Sequence, residues 1–254
     1  MECKIKLMQY SYHDRKKKIR DGTFFLGIAD MGYAYSEDEA KTVFSGQEWQ
    51  NYIRLKRPGR RREIFWSRAL AKTMLSAAIR HETSASGPDP SSIRIGKGMM
   101  DYPMVEGADI GFQVSIAHGK RYAAVLAFPN EVMFGIDLEE VSDVRRPFLM
   151  DGLSEEEIGL ARRFRSDEEA GLVLWTAKEA LGKFLRVGMT PDWRIYGVSG
   201  AEKENGRWEI TFRYFPSLTV HTYIRDTYLF SVAGYRDLTF RETGTLPGIL
   251  PFGR

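Results

Sequence analysis

GIDLEEV, Gly135–Val141, alternates in the manner of a β-strand. With the residues before it, Val132, Phe134, Ile136 and Leu138 fall on one face, so Asp137 and Glu139 share the other, about 6.8 Å apart along the chain. WTAKEALGKFL, Trp175–Leu185, follows about 40 residues later and shifts the period to that of a helix, with Gly182 its one breaker. Leu174, Ala177, Leu181, Phe184 and Leu185 form a stripe fit for burial, while Trp175, Glu179 and Lys183 succeed one another at i, i+4 on an adjacent stripe. Three carboxylates and a lysine, all on regular elements beside apolar faces, suit a hard cation next to a phosphate anchor. The plainer alternatives are acids on the solvent side of an edge strand and a Glu179–Lys183 pair worth about 0.3–0.5 kcal/mol on a helix surface.

The chain also repeats itself. FLGIAD around Gly27 parallels MFGIDL around Gly135, and FSGQEW (Phe44–Trp49) parallels LSEEEI (Leu153–Ile158). Each of the latter pair holds a Ser-x-x-Glu capping box, Ser45 with Glu48 and Ser154 with Glu157. WSRALAK (Trp66–Lys72) then echoes WTAKEALGK (Trp175–Lys183). The offset stays at 108 or 109 residues, which predicts two similar lobes, 1–129 and 130–254, with Trp66 and Trp175 in equivalent places. Ala29 stands where the second copy has Asp137, so the duplication predicts one acidic site rather than two.

A chain of 254 residues with 43% hydrophobic and 13% aromatic content suits one large or two ordinary cores. It has no run of 18 apolar residues, so no membrane span is expected, and the N-terminal stretch lacks an apolar signal core. A single cysteine, Cys3, forms no internal disulfide and fits a reducing cytoplasm. Residues 1–130 hold 21 Lys and Arg against 14 Asp and Glu, and residues 131–254 hold 16 against 20, so net charges of +7 and −4 make up the overall +3. The runs RKKKIR (Arg15–Arg20) and LKRPGRRR (Leu55–Arg62) admit a nucleic-acid footprint, but neither is interleaved with aromatics and solvated surface is the preferred reading.

Strands are predicted near Phe24–Ala29, Tyr122–Phe128, Val132–Leu138, Trp208–Phe215, Leu218–Arg225 and Tyr228–Gly234, and helices at Gln47–Leu55, Ile64–Ile79, Glu155–Arg163 and Glu168–Leu185. Pro129-Asn130 reads as a hairpin turn from one lobe into the next, Thr83–Ser92 as a loop, and Gly244–Arg254 as a mobile or draped extension. The order of strands and helices gives an α+β class.

The two opening motifs, in that order and spacing, resemble the signature motifs of the 4′-phosphopantetheinyl transferases, in particular the larger, two-lobed surfactin-synthetase-activating type. VSIAHGKRYAAVLAF (Val114–Phe128) resembles a further family motif, with His118 in its histidine position, and LSEEE resembles another whose acid is Glu157, although the capping box accounts for Glu157 equally well. The resemblance spans roughly 96–185. It implies two pseudo-symmetric lobes with the active site in the cleft between them, the basic lobe on the nucleotide side and the acidic lobe on the metal side. It implies a monomeric, cytoplasmic, Mg²⁺-dependent enzyme, Mn²⁺ substituting, that moves 4′-phosphopantetheine from coenzyme A to a serine of an acidic apo acyl or peptidyl carrier protein and releases 3′,5′-ADP. Such carriers serve fatty acid, polyketide or non-ribosomal peptide synthesis. By the same resemblance Asp137, Glu139 and Glu179 are exposed cleft ligands of the metal, and Glu179 and Lys183 are catalytic. His118, Lys178, Lys183, Lys97 and Arg62 contact coenzyme A, His118 at the 3′-phosphate, with Arg54 and Arg61 as further candidates. The chain departs from the pattern at GKG (Gly96–Gly98) with a separate Tyr102-Pro103, where Gly-Lys-Pro is usual, and at Ala117, where a serine is common. A degenerate homologue that binds coenzyme A or a carrier without transfer, or a basic nucleic-acid-binding protein, are the alternative readings.

Overall fold

The computed structural model describes residues 5–83, 87–106, 111–141 and 153–246; Cys3 and the end of the C-terminal extension lie outside them. The chain divides into two compact units, Met1–Val132 with Thr239–Arg254, and Met133–Leu238.

The first unit contains β1 (Ile5–Asp14), β2 (Gly22–Asp30), α1 (Glu37–Val43), α2 (Gly46–Ile53), α3 (Pro58–Thr83), β3 (Arg94–Lys97), β4 (Pro103–Glu106), β5 (Phe112–His118) and β6 (Tyr122–Pro129). Its antiparallel sheet runs β12-β1-β2-β6-β5, where β12 is Leu238–Leu246, and β3 and β4 form a separate ribbon. Alternation selects one face for the core: Leu7, Phe25, Ala29, Val114, Val125 and Ala127 are buried in one cluster with Trp66, Leu70 and Met74 of α3. Each buried Leu, Phe, Val or Met among them contributes about 1.5–3 kcal/mol. Pro58 opens α3 at the first helical position, where a missing N–H is harmless. LKRPGRRR is therefore partly the first turn of this helix.

The second unit contains β7 (Gly135–Glu140), α4 (Glu155–Ala161), α5 (Asp167–Phe184), β8 (Val198–Glu204), β9 (Arg207–Phe212), β10 (Leu218–Arg225) and β11 (Tyr228–Tyr235). Its antiparallel sheet runs β7-β11-β10-β9-β8, and α5 packs on one face through Ala177, Leu181, Val220, Ile210 and Ala233. Helices and antiparallel strands are thus mixed within each unit.

Three sequence expectations are corrected. Pro129-Asn130 is not a hairpin, because β6 and β7 lie in different sheets. Residues 239–246, placed by sequence in the second lobe and in part in a loose extension, form the edge strand beside β1 of the first sheet, with Thr239 Oγ1 and Thr243 Oγ1 donating to the carbonyls of His13 and Gln9 at 3.3 Å. The tryptophans are not equivalent: Trp66 is fully buried and Trp175 only half-buried. The strands do repeat at an offset of 108, since Gly27 pairs with Val125 as Gly135 pairs with Ala233. The long helices instead repeat at 106. Gly27 faces Met74 where Gly135 faces Ala180, and Lys72 pairs with Glu48 where Lys178 pairs with Glu157. From strand to long helix the second copy is therefore two residues shorter than the first, while the contacts at the glycine and at the lysine are kept.

Candidate active site

β7 is the edge of its sheet, and its register with β11 puts Ser231 opposite Asp137 and Leu229 opposite Glu139. Gly135 is where strand and helix touch. A Cβ there would stand 2.1 Å from the Ala180 carbonyl oxygen and 2.3 Å from the Phe184 nitrogen, so only glycine permits this approach. Asp137, two residues on and on the same face, is thereby brought against α5.

Between Gly171 and Phe184 every residue of α5 is buried except Trp175, Glu179 and Lys183, the i, i+4 stripe read from sequence. Lys183 Nζ donates to Asp137 Oδ1 at 2.6 Å. Asp137 Oδ2 is buried and accepts no hydrogen bond. Glu179, one turn before Lys183, is half-buried. Burial and then the Asp137 charge push its carboxyl above the usual range, with Lys183 opposing in part. Asp137 was expected as an exposed carboxylate, but it is only 5% exposed, because the face it occupies is the one that α5 covers.

Two carboxylates against one ammonium leave one negative charge over, and one carboxylate oxygen lacks a partner. That arrangement fits a divalent cation. Magnesium is held by one or two carboxylates completed by water and substrate phosphates, and needs no all-protein cage. Glu139 lies on the same face of β7 and is half-buried. Among the described residues, no group of three or more Asp, Glu, His or Cys gathers closely enough to hold a metal on its own.

Lys178 and Glu157 are drawn elsewhere. Both side chains are 2% exposed, with Lys178 Nζ 2.7 Å from Glu157 Oε1 and 4.3 Å from the centre of the Trp193 ring. The Glu157 carboxylate also accepts from the Val198 and Ser154 backbone N–H groups, each at 2.9 Å. Burial lowers the Lys178 ammonium from its ordinary range, against the pull of Glu157.

In the first unit His118 ends β5 with its ring 3.5 Å from Arg60 and 4.0 Å from Glu63. Arg60 is the arginine that sequence reading passed over; its one signal is the i, i+3 spacing to Glu63, which it bonds at 3.0 Å. Arg61 lies over the Tyr52 ring at 5.2 Å, and Arg62 and Arg54 are exposed. Lys97 pairs with Asp101 at 3.0 Å on the β3–β4 ribbon.

The segment from Met133 to Ala233 carries the acids, the lysines and the Glu157 clasp together. Residues 133–233 match the model of the 4′-phosphopantetheinyl transferase superfamily. The match takes in Asp137, Glu139, Glu157, Lys178, Glu179 and Lys183. It supports that family for the second unit and, with it, phosphopantetheine transfer in general. Comparison with curated proteins finds no match. Among the described residues no helix is long and apolar enough to cross a membrane.

Proposed function

We propose that this protein transfers 4′-phosphopantetheine from coenzyme A to the serine of an acidic acyl or peptidyl carrier protein, in the manner of the surfactin-synthetase-activating type. The observation that carries the reading is the meeting of Asp137, Glu179 and Lys183 at the contact between β7 and α5, inside the family-matched segment. The repeated strand–helix unit supports the larger subtype, and the second copy alone keeps the acids: Ala29, Thr73 and Ala77 take the places of Asp137, Glu179 and Lys183 in the first unit.

In this mechanism the serine oxygen attacks the phosphorus that bears pantetheine, and the bond to the departing 3′,5′-ADP phosphate breaks. Glu179, its carboxyl held above the usual range by burial and by Asp137, is the group that would accept the serine proton. Lys183 places its ammonium where charge accumulates on the pyrophosphate oxygens, and Asp137 holds that ammonium in position. Asp137 and Glu179, with Glu139 two residues along β7 from Asp137, would hold Mg²⁺. When bound, the cation supplies neutralising charge at the pyrophosphate. His118 and Arg60 are suited to contact the 3′-phosphate.

The test is mass spectrometry of acidic apo carrier proteins after incubation with the protein, coenzyme A and Mg²⁺. Addition of one phosphopantetheine to a serine is the expected result. Coenzyme A binding with every carrier left at its apo mass would overturn transfer and favour the degenerate homologue.

A further inference from the structure

The buried Glu157–Lys178 pair has a twin. In the first unit Glu48 occupies the same position of its capping box, accepting from the Ser45 N–H at 2.9 Å. Its carboxylate receives Lys72 of α3 at 2.6 Å and the N–H of Ile95, in the first strand after that helix, at 3.1 Å. Glu157 does the same three things with Ser154, Lys178 of α5 and Val198, in the first strand after α5. One carboxylate thus ties the start of a short helix, the middle of a long helix and the start of a strand. The first unit keeps this clasp although Ala29, Thr73 and Ala77 leave it nothing to align.

We infer that Glu157 and Lys178 are positioning residues of the second unit rather than contacts of coenzyme A. Lys178 is the neighbour of Glu179, about 100° round the helix from it. Pinning Lys178 inward toward Glu157 therefore fixes the rotation of α5 that turns Glu179 and Lys183 toward Asp137. The close contact at Gly135 sets the spacing of strand and helix, and the clasp sets the rotation and axial level. Lys178 itself is sealed by Glu157 and the Trp193 ring, which leaves its ammonium no face for a phosphate.

This inference rests on the proposed transfer for its kinetic arm, so the experiment includes a structural one. The full-length variants are Lys178→Met, the neutral pair Glu157→Gln with Lys178→Met, and Lys72→Met as the twin in the first unit. Lys178→Met should lower kcat by roughly tenfold to a hundredfold with the KM for coenzyme A within about twofold of wild type. The double variant removes the stranded buried carboxylate and should recover most of the lost Tm, while kcat stays low because the directed contact is still missing. Lys72→Met should lower Tm and leave kcat unchanged. A crystal structure of the double variant should have the Lys183–Asp137 contact opened, whether or not the wild type transfers anything. A raised KM for coenzyme A with kcat intact would assign Lys178 to the substrate instead. Recovery of kcat in step with Tm, or an undisturbed Lys183–Asp137 contact, would reduce the clasp to a stabilising feature and overturn the inference. A wild type that transfers to no carrier would overturn the proposed reaction while leaving the crystallographic comparison to decide the clasp.

Discussion

Lys183 Nζ lies 2.6 Å from Asp137 Oδ1 across the contact between α5 and β7, while Asp137 Oδ2 accepts nothing. The half-satisfied carboxylate makes this pair sensitive both to substitution and to added cation. Lys183→Met strands a buried charge and should cost about 1–3 kcal/mol in urea unfolding. Asp137→Asn keeps the shape and should cost less. Mg²⁺ should stabilise the wild type, by about 2.7 kcal/mol at a hundred times its Kd, and leave Asp137→Asn unmoved. Equal stabilisation of both proteins by Mg²⁺ would place the cation elsewhere.

His118 is partly exposed, its ring 3.5 Å from Arg60 and 4.0 Å from Glu63. A charge-assisted contact to phosphate is worth about 1.5–3 kcal/mol, so His118→Ala should weaken coenzyme A binding roughly tenfold to a hundredfold. Steady-state kinetics should show the loss in KM more than in kcat, and discrimination between coenzyme A and dephospho-coenzyme A should shrink. A full wild-type preference for coenzyme A in the variant would remove His118 from the 3′-phosphate.

His221 on β10 is buried, and burial followed by the nearby Arg207 charge pulls its imidazole down to about 4. Glu209, 3.9 Å from the ring, does not reverse this. The unfolded histidine titrates near 6.5, so between these values the unfolded chain binds more protons and acid favours unfolding. The contribution is intact above about pH 6.5 and falls away toward pH 4, with about 2 kcal/mol lost by pH 5. His221→Gln should remove that part of the difference between urea midpoints at pH 7 and pH 5. An unchanged difference would mean that other groups carry the acid sensitivity.

The two equivalent glycines should respond differently to alanine. At Gly27 the new methyl meets the ends of Met74 and Leu70, 2.3 and 2.8 Å away, which can swing aside at about 1 kcal/mol. At Gly135 it meets helix backbone, and the cost should exceed about 3 kcal/mol. Thermal melts of the two variants compare them directly, and Gly135→Ala should lose transfer even where it stays folded. Similar Tm losses would contradict a backbone contact at Gly135.

β7 and α5 were legible because each carries a local period, and the stripe of Trp175, Glu179 and Lys183 needed only the spacing of a helix. The burial of Asp137 was not, because alternation assigns faces without saying which face a helix covers. The tryptophan echo misled for a related reason. Identical letters fixed the offset at 109, whereas packing, through Gly135 and Lys178, fixes it at 106 and makes Leu172 the counterpart of Trp66. The Glu–Lys clasps join residues 24 and 21 positions apart, a separation that no helical or strand period marks. β1 and β12 have mixed, weakly alternating sequences whose pairing is evident only once the strands are side by side.

The place of β12 in the chain has a bearing on synthesis. A ribosome that has just finished β6 must add residues 130–237, nearly all of the second unit among them, before the strand that covers β1 begins. At 5–20 residues per second that interval is about 5–20 s. Throughout it the outer rim of β1 presents open amide and carbonyl groups to the surrounding solution, a state that invites sticking to other nascent chains. Ribosome-bound intermediates stalled within the second unit should accordingly recruit chaperones more strongly than chains stalled after 246.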